Sequence, residues 1–361
     1  MKKSNILVIA LIILLFLSGF VGTSYYFLST PTIKNDGVIY YLKPGTSKQT
    51  FIADLTQQKI ITHPSLFLFY IYAQTILSST HLVPQLKAGE YFFPKGSTSL
   101  SIIKQVTNGT GLYYRSFTIL PGWTFAQLRK ALLYTHSLRH QLNKLSDKQV
   151  MQSLGSQADL SPEGEFFPET YYYTRGVLDL VILKRAFDLM QSRSHEVWQT
   201  RITGLPYKNE YDVLIAASLI EKEAYLKTEM PMIAGVLVNR LRKNMLLQFD
   251  PTVIYGMGER YTGKIHKTDL QEDTIYNTYT RKGLPPTPIA MPSMASLTAA
   301  THPESNDYFY FVAKGDGAHQ FSKTLVEHNK AVGMAIKQTD YYFNETKIKQ
   351  HLNGLLTVKK T

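Results

Sequence analysis

The sequence predicts an α+β protein made of an N-terminal transmembrane helix, a small α+β subdomain and a larger mixed α/β domain. Three observations carry this reading: an uncharged apolar run at 6–28, a strand, turn and helix pattern that recurs from residue 40 onward, and a C-terminal half where helical periodicities alternate with loops rich in proline and glycine. With 361 residues, 44% of them hydrophobic, the chain has enough apolar material for two or three compact units. The corresponding divisions are a cytoplasmic tail at 1–5, the membrane span at 6–28, a linker at 29–36, the small subdomain at 37–110 and the larger domain at 111–361.

The run at 6–28 carries no charge and, at about 23 residues, is long enough to cross roughly 30 Å of hydrocarbon. Lys2 and Lys3 precede it and should stay in the cytoplasm, which places the rest of the chain outside, on a single span through the inner membrane. A cleavable signal peptide is the alternative, since 6–17 has signal-like length. Against cleavage, no A-x-A-like site follows, and Tyr25, Tyr26 and Phe27 suit an interfacial aromatic belt. The net charge of +12 favours anionic surroundings: lipid head groups, cell-wall polymer or nucleic acid. Lysines and arginines are scattered and join no nucleic-acid-binding motif, so nucleic acid is not expected as a partner. The absence of cysteine excludes disulfides and thiol catalysis.

After the linker, Tyr40-Tyr41-Leu42-Lys43-Pro44-Gly45-Thr46 leads into the helical spacing of Phe51, Ile52 and Leu55. Tyr91-Phe92-Phe93-Pro94-Lys95-Gly96-Ser97 leads likewise into Leu100, Ile102 and Ile103, and Phe117 to Thr124 into Leu128, Ala131 and Leu132. Each copy reads as a strand, a Pro/Gly turn, a Ser/Thr cap and an amphipathic helix. Two such strands with helices on one face give the layout of LysM-type glycan-binding modules, or a plain structural spacer. Farther on, Ser146 and Gln149 form a capping-box signature, and 177–198 has helical periodicity. The intervening Pro162-Glu163-Gly164-Glu165-Phe166-Phe167-Pro168-Glu169-Thr170-Tyr171-Tyr172-Tyr173 mixes acids and aromatics. It suits either a wall for sugar rings or a packed loop.

AASLIEKEA at 216–224 places Glu223 on an apolar helix face, with Leu219 and Ile220 one turn back and Ala216 two turns back. Glu221 backs onto the more polar strip of Ala217 and Ser218. Burial disfavours a carboxylate, so a pKa of roughly 6 is expected and Glu223 is the candidate general acid. The alternative is an ion pair with Lys222, Lys227 or a distant arginine. Downstream, 246–258 reads as a helix end, a turn at Asp250 and Pro251, and an apolar run closed by glycines. The stretch 274–288 reads as a rigid proline loop, Ser293 as the cap of a helix reaching Thr301, and 308–313 as a strand followed by a turn through His319. His266, His302, His319 and His328 lack zinc-ligand spacing, so no metal is expected, and no nucleotide loop or serine elbow is present, so no cofactor is expected either.

Taken together, EGEFFPETYYYT from Glu163, AASLIEKEA, LVNRLRKNMLLQFDPTVIYGMG from Leu237, YNTYTRKGLPPTPI from Tyr276 and GDGAHQFSKTLVEHNK from Gly315 resemble the endolytic murein transglycosylases of the YceG-like family. The resemblance spans about 37–340 in the same order. It implies a membrane-anchored lytic enzyme with a LysM-like subdomain, acting on peptidoglycan strands and working beside cell-wall synthases. The family's essential glutamate falls on Glu223, which the helix pattern also selects. Position in the motifs implies that Gln248, Asn277 and Tyr279 line the cleft and bind substrate, together with Glu163 and His319. Thr287, Pro288 and Glu165 depart from the family pattern. A hydrolytic muramidase using Asp250 or Glu221 as second carboxylate, and a noncatalytic scaffold that binds glycan, are the competing readings.

Overall fold

The computed structural model describes residues 3–77, 85–156 and 160–334. Lys2 of the basic flank and 335–361 of the expected larger domain lie outside these residues. The chain divides into two compact units, one of residues 1–116 and 172–177, the other of 117–171 and 178–361.

The first unit opens with helix α1 (Lys3–Ser29), whose segment Leu7–Ser29 has a mean hydropathy of 2.5 and leaves most of its side chains exposed. Strand β1 (Val38–Leu42), helices α2 (Lys48–Gln57) and α3 (Pro64–Leu77), strand β2 (Gly89–Phe93), helix α4 (Ser99–Asn108) and strand β3 (Arg115–Thr118) follow. β1 and β2 pair antiparallel with Tyr40 opposite Tyr91, and Phe51, Leu55, Phe67, Phe93 and Ile102 fill the core. Both recurring units in this part are built as the pattern predicts. Gly45 and Gly96 turn the chain at φ 79° and 87°, and the side chains of Ser47 and Thr98 accept the first free helical N–H groups.

The second unit contains α5 (Phe125–Leu133), α6 (Asp147–Ser153) and α7 (Asp179–Thr200), while β3 and the strand it pairs with, β4 (Thr170–Tyr173), each have residues in both units. Thr124 with Gln127 and Ser146 with Gln149 form the caps of α5 and α6. A fourth strand, glycine turn and helix runs from β4 through Gly176, at φ 85°, into α7. Its signal was weak because Leu178 replaces the polar cap. Asp179 instead turns its buried carboxylate to the N–H groups of Gln141 and Leu142.

Helix α8 (Glu210–Glu223) is the centre of this unit, buried at every position from Val213 to Ile220. Around it pack α7, α9 (Met230–Arg242), α10 (Asp250–Met257) and, after the short α11 (Lys267–Gln271), α12 (Met294–Thr301). The hairpin of β5 (Tyr310–Ala313) and β6 (His319–Ser322) pairs Phe311 with Phe321, and a further helix covers 325–334. One expectation needs correction. Asp250 and Pro251 do not form a turn ahead of the apolar run; they are the first residues of α10, where a proline needs no N–H partner and an acid faces free amides.

Candidate active site

Glu223 is the last residue of α8, and the chain leaves the helix at Ala224 in an extended conformation. Three effects act on its carboxyl. Burial comes first; the negative charge of Asp250 adds to it, while Arg240 opposes both, and the balance raises the pKa from 4.5 to about 8. The carbonyls at a helix C-terminus also disfavour an anion there. The residue as a whole is only half-buried, yet its Oε2 is closed off and has no hydrogen-bond partner among the described residues. A protonated carboxyl whose oxygen is unclaimed by the fold can give its proton to a ligand. The ion pair left open by sequence is not made through Lys222, whose Nζ goes to the Gly122 carbonyl at 3.3 Å.

The neighbouring charges are delivered by α9 and α10. Arg240 lies on the inner face of α9, in register with Ile233 and Leu237, and all three are buried. Its Nη1 donates to the carbonyls of Leu246 at 3.2 Å and Leu247 at 2.5 Å and to Gln248 Oε1 at 3.3 Å, and its Nε to the Phe309 carbonyl at 2.5 Å. The guanidinium also lies 5.2 Å from the Tyr310 ring. Sequence reasoning missed this residue. Gln248 adopts a left-handed φ of 55°, a strained value for a residue with a Cβ, held by its N–H donating to the Thr278 carbonyl at 3.0 Å. Phe249 N–H then donates to Thr278 Oγ1 at 2.9 Å, which fixes the start of α10 and therefore Asp250.

Of the candidate binding residues, Gln248 and Tyr279 stand with Glu223 around Asp250 and Arg240. Gln248 is exposed, and the Tyr279 hydroxyl donates to Asp250 Oδ1. Burial, with Asp250 adding to it, keeps the Tyr279 phenol protonated and hence a donor. Asn277 has a different duty. It is buried, and its Nδ2 donates to the carbonyls of Leu270 at 3.1 Å and Glu272 at 2.7 Å while its Oδ1 accepts from Tyr279 N–H at 2.8 Å, so it shapes the loop that carries Tyr279. His319 is engaged by Glu229, with Nδ1 2.8 Å from Oε2 and the backbone N–H 3.0 Å from Oε1.

Glu163 is buried beside the far end of α10. Its Oε1 accepts from Phe125 N–H at 2.9 Å, at the start of α5, and its Oε2 from Tyr255 hydroxyl at 3.0 Å. Burial raises its pKa to about 7 against those two donors. Its neighbour Gly164, at φ 80°, lets the chain pass so close to Pro288 that a Cβ would lie 2.5 Å from the ring. Thr287 meets the Tyr276 hydroxyl at 3.0 Å, and Ser218 on α8 accepts Ile289 N–H at 3.1 Å. The proline loop is thus seated on α8. Glu221, the other acid of the helix end, accepts from Ser293 N–H at 2.9 Å and Oγ at 2.5 Å and holds the start of α12.

Glu165 is also buried, with its Oε2 accepting from Gln191 Nε2 at 2.7 Å, and burial raises its pKa to about 8. A carboxyl with a raised native pKa binds its proton more tightly folded than unfolded. The stability it contributes is complete below the unfolded pKa and is lost as pH rises through the folded one. Glu165→Gln is therefore expected to melt at a higher temperature than the parent at about pH 9, with the difference vanishing near pH 5. Thermal melts across that range check it; a difference independent of pH would refute the assignment.

A model of the YceG-like family matches residues 40–334. The chain is 33% identical over 306 residues to a Bacillus subtilis protein named endolytic murein transglycosylase, covering 80% of this chain and 81% of that one. It is 24% identical over 355 residues to a Streptococcus pneumoniae protein of the same name, covering 88% of this chain but 62% of that longer one. The crystal structure of a yceG-like protein from Listeria monocytogenes matches 82% of this chain and 98% of its own, with a TM-score of 0.51 at 28% identity.

Proposed function

We propose, for a chain that belongs to the YceG-like family, that it is a murein transglycosylase in which Glu223 alone serves as acid and then as base. The observation that carries this reading is the buried, partnerless Oε2 of Glu223 beside Asp250, a carboxyl biased toward its protonated form. Glu223 gives its proton to the glycosidic oxygen between N-acetylmuramic acid and N-acetylglucosamine as positive charge develops at the anomeric carbon. The bond from that carbon to the leaving oxygen breaks, and the departing sugar keeps the proton as a hydroxyl. The new carboxylate takes the proton of the muramic C6 hydroxyl, whose oxygen bonds to the anomeric carbon and closes a 1,6-anhydro ring. Acid and base return to their starting state, and no water is consumed.

In this scheme Asp250 favours the proton on Glu223 before transfer, and Arg240 supports the carboxylate after it. Gln248 and Tyr279 face the sugar. Glu163, Asn277 and His319 act by fixing the walls, since their polar atoms are engaged by the fold. α1 anchors the chain in the cytoplasmic membrane with the remainder outside, facing nascent strands, and internal cuts there limit strand length and leave anhydro ends. The βααβ arrangement of the first unit supports a glycan-binding, LysM-like role, and synthases working on the same strands are the expected partners.

A hydrolytic reading keeps one specific support, the second carboxylate of Asp250 near Glu223. The product separates the two. Mass spectrometry of uncrosslinked glycan digested by the protein should find ends lighter by one water than reducing ends. Reducing ends would instead assign Asp250 as a base that activates water.

A further inference from the structure

Just past Glu223 the chain sets an aromatic ring in the open. Tyr225 is 82% exposed, and its Cα lies two residues from that of Glu223, so no more than about 7 Å away. A lone exposed ring is ordinary on a protein surface. This one is held in place. A Cβ on Gly317, at φ 89°, would lie 2.6 Å from one ring carbon of Tyr225 and 3.0 Å from the next, so one side of the ring rests against the glycine backbone.

Both parts of that contact are fixed by the fold. Gly317 sits in the turn of the β5–β6 hairpin, which is closed by Lys314 N–H donating to the Ala318 carbonyl at 2.8 Å and by Ala318 N–H donating to Asp316 Oδ1 at 3.0 Å. Four residues after Tyr225, Glu229 ties the segment to the same hairpin, accepting the backbone N–H of His319 at 3.0 Å and lying 2.8 Å from its Nδ1. At the base of the hairpin, Arg240 donates to the Phe309 carbonyl. One hairpin thus joins the cation that supports Glu223 to the ring beside Glu223, across a strand of four residues, roughly 13 Å.

β-Linked N-acetylglucosamine and N-acetylmuramic acid carry their ring substituents equatorially, which leaves the axial C–H bonds as apolar faces. A flat ring that is open and already immobilised stacks on such a face with little further loss of side-chain freedom. We propose that Tyr225 is a substrate-binding residue whose ring stacks on a sugar adjoining the scissile bond, with Gly317 holding the ring in place. This deepens the reading of Glu223 as the acid that cleaves glycan, and rests on it.

The test compares full-length parent, Tyr225→Ala, Tyr225→Phe and Tyr134→Ala, a control at another exposed tyrosine of the same unit. Cleavage kinetics and binding are measured on uncrosslinked glycan, with a thermal melt of each preparation. Tyr225→Ala should raise KM and weaken binding about tenfold while kcat changes by less than about threefold, the pattern of an interaction lost equally from ground and transition state. Tyr225→Phe, which keeps the ring, and Tyr134→Ala should stay within about twofold of the parent, and all should melt as the parent does. Tyr225→Ala within about twofold of the parent in KM and binding overturns the proposal. A loss in Tyr225→Phe equal to that in Tyr225→Ala also overturns it, since the hydroxyl and not the ring face then makes the contact. So does a fall in kcat at unchanged KM, or a lowered melting temperature accompanying the KM rise, because the ring then supports Glu223 or the fold. If the parent binds glycan without cutting it, the transglycosylase reading falls, and the binding loss in Tyr225→Ala alone decides for or against the ring. A parent that neither cuts nor binds removes both.

Discussion

Glu223→Gln is expected to lower the rate of glycan cleavage by about three orders of magnitude, within the range that general acid catalysis supplies. The amide has nearly the shape of the carboxylic acid but no proton to give at the glycosidic oxygen and no means of taking one from the C6 hydroxyl. The fold should tolerate the change, because Glu223 Oε2 has no partner to lose among the described residues. Glycan binding should persist, since Gln248 and Tyr279 are untouched. Cleavage kinetics on uncrosslinked strands and binding to the same strands, measured on one preparation, separate these effects. A variant that retains cleavage within about tenfold would remove Glu223 from the chemistry. One that loses both binding and its melting transition would give Glu223 a structural role.

The second large effect is expected at Arg240. Arg240→Met should cost about 3–5 kcal/mol of unfolding free energy, because one buried cation serves the carbonyls of Leu246, Leu247 and Phe309 together. Methionine fills much of the volume but leaves those acceptors without donors. Activity should also fall, since the same bonds set the chain leading through Gln248 to Asp250. Arg242→Met, two residues along on the exposed side of α9, should change stability by no more than about 0.5 kcal/mol. Denaturant midpoints at unchanged slope measure both. If the two variants lose similar stability, Arg240 is not the hub its hydrogen bonds describe.

The two sites differ in how openly the sequence announces them. Glu223 was legible because a carboxylate at apolar helical spacing is an anomaly, although α8 proves to be buried all round and not along one stripe. The same test applied to α9 finds Arg240 at the spacing of Ile233 and Leu237; a cation on a buried face is as informative as an acid. The closeness of Asp250 to Glu223 was not legible. It depends on Thr278 holding the segment before α10, a long-range contact that no local pattern encodes. Strand, glycine turn and cap were readable in three copies because φ and capping are local properties. The fourth escaped because Asp179 replaces the usual cap by reaching across to Gln141 and Leu142. Asn277 falls in a motif expected to touch substrate, but whether an amide meets ligand or backbone depends on where α11 and its loop pack.

The central claim is that Glu223 holds its proton at neutral pH. Difference infrared spectroscopy of the parent against Glu223→Gln isolates this one carboxyl from Glu163 and Glu165, which stay in both proteins. The predicted result is a protonated-carboxyl band present at pH 7 and lost with a midpoint near the raised pKa of about 8. A band already bleached by about pH 5, the range of an ordinary glutamate, would contradict it.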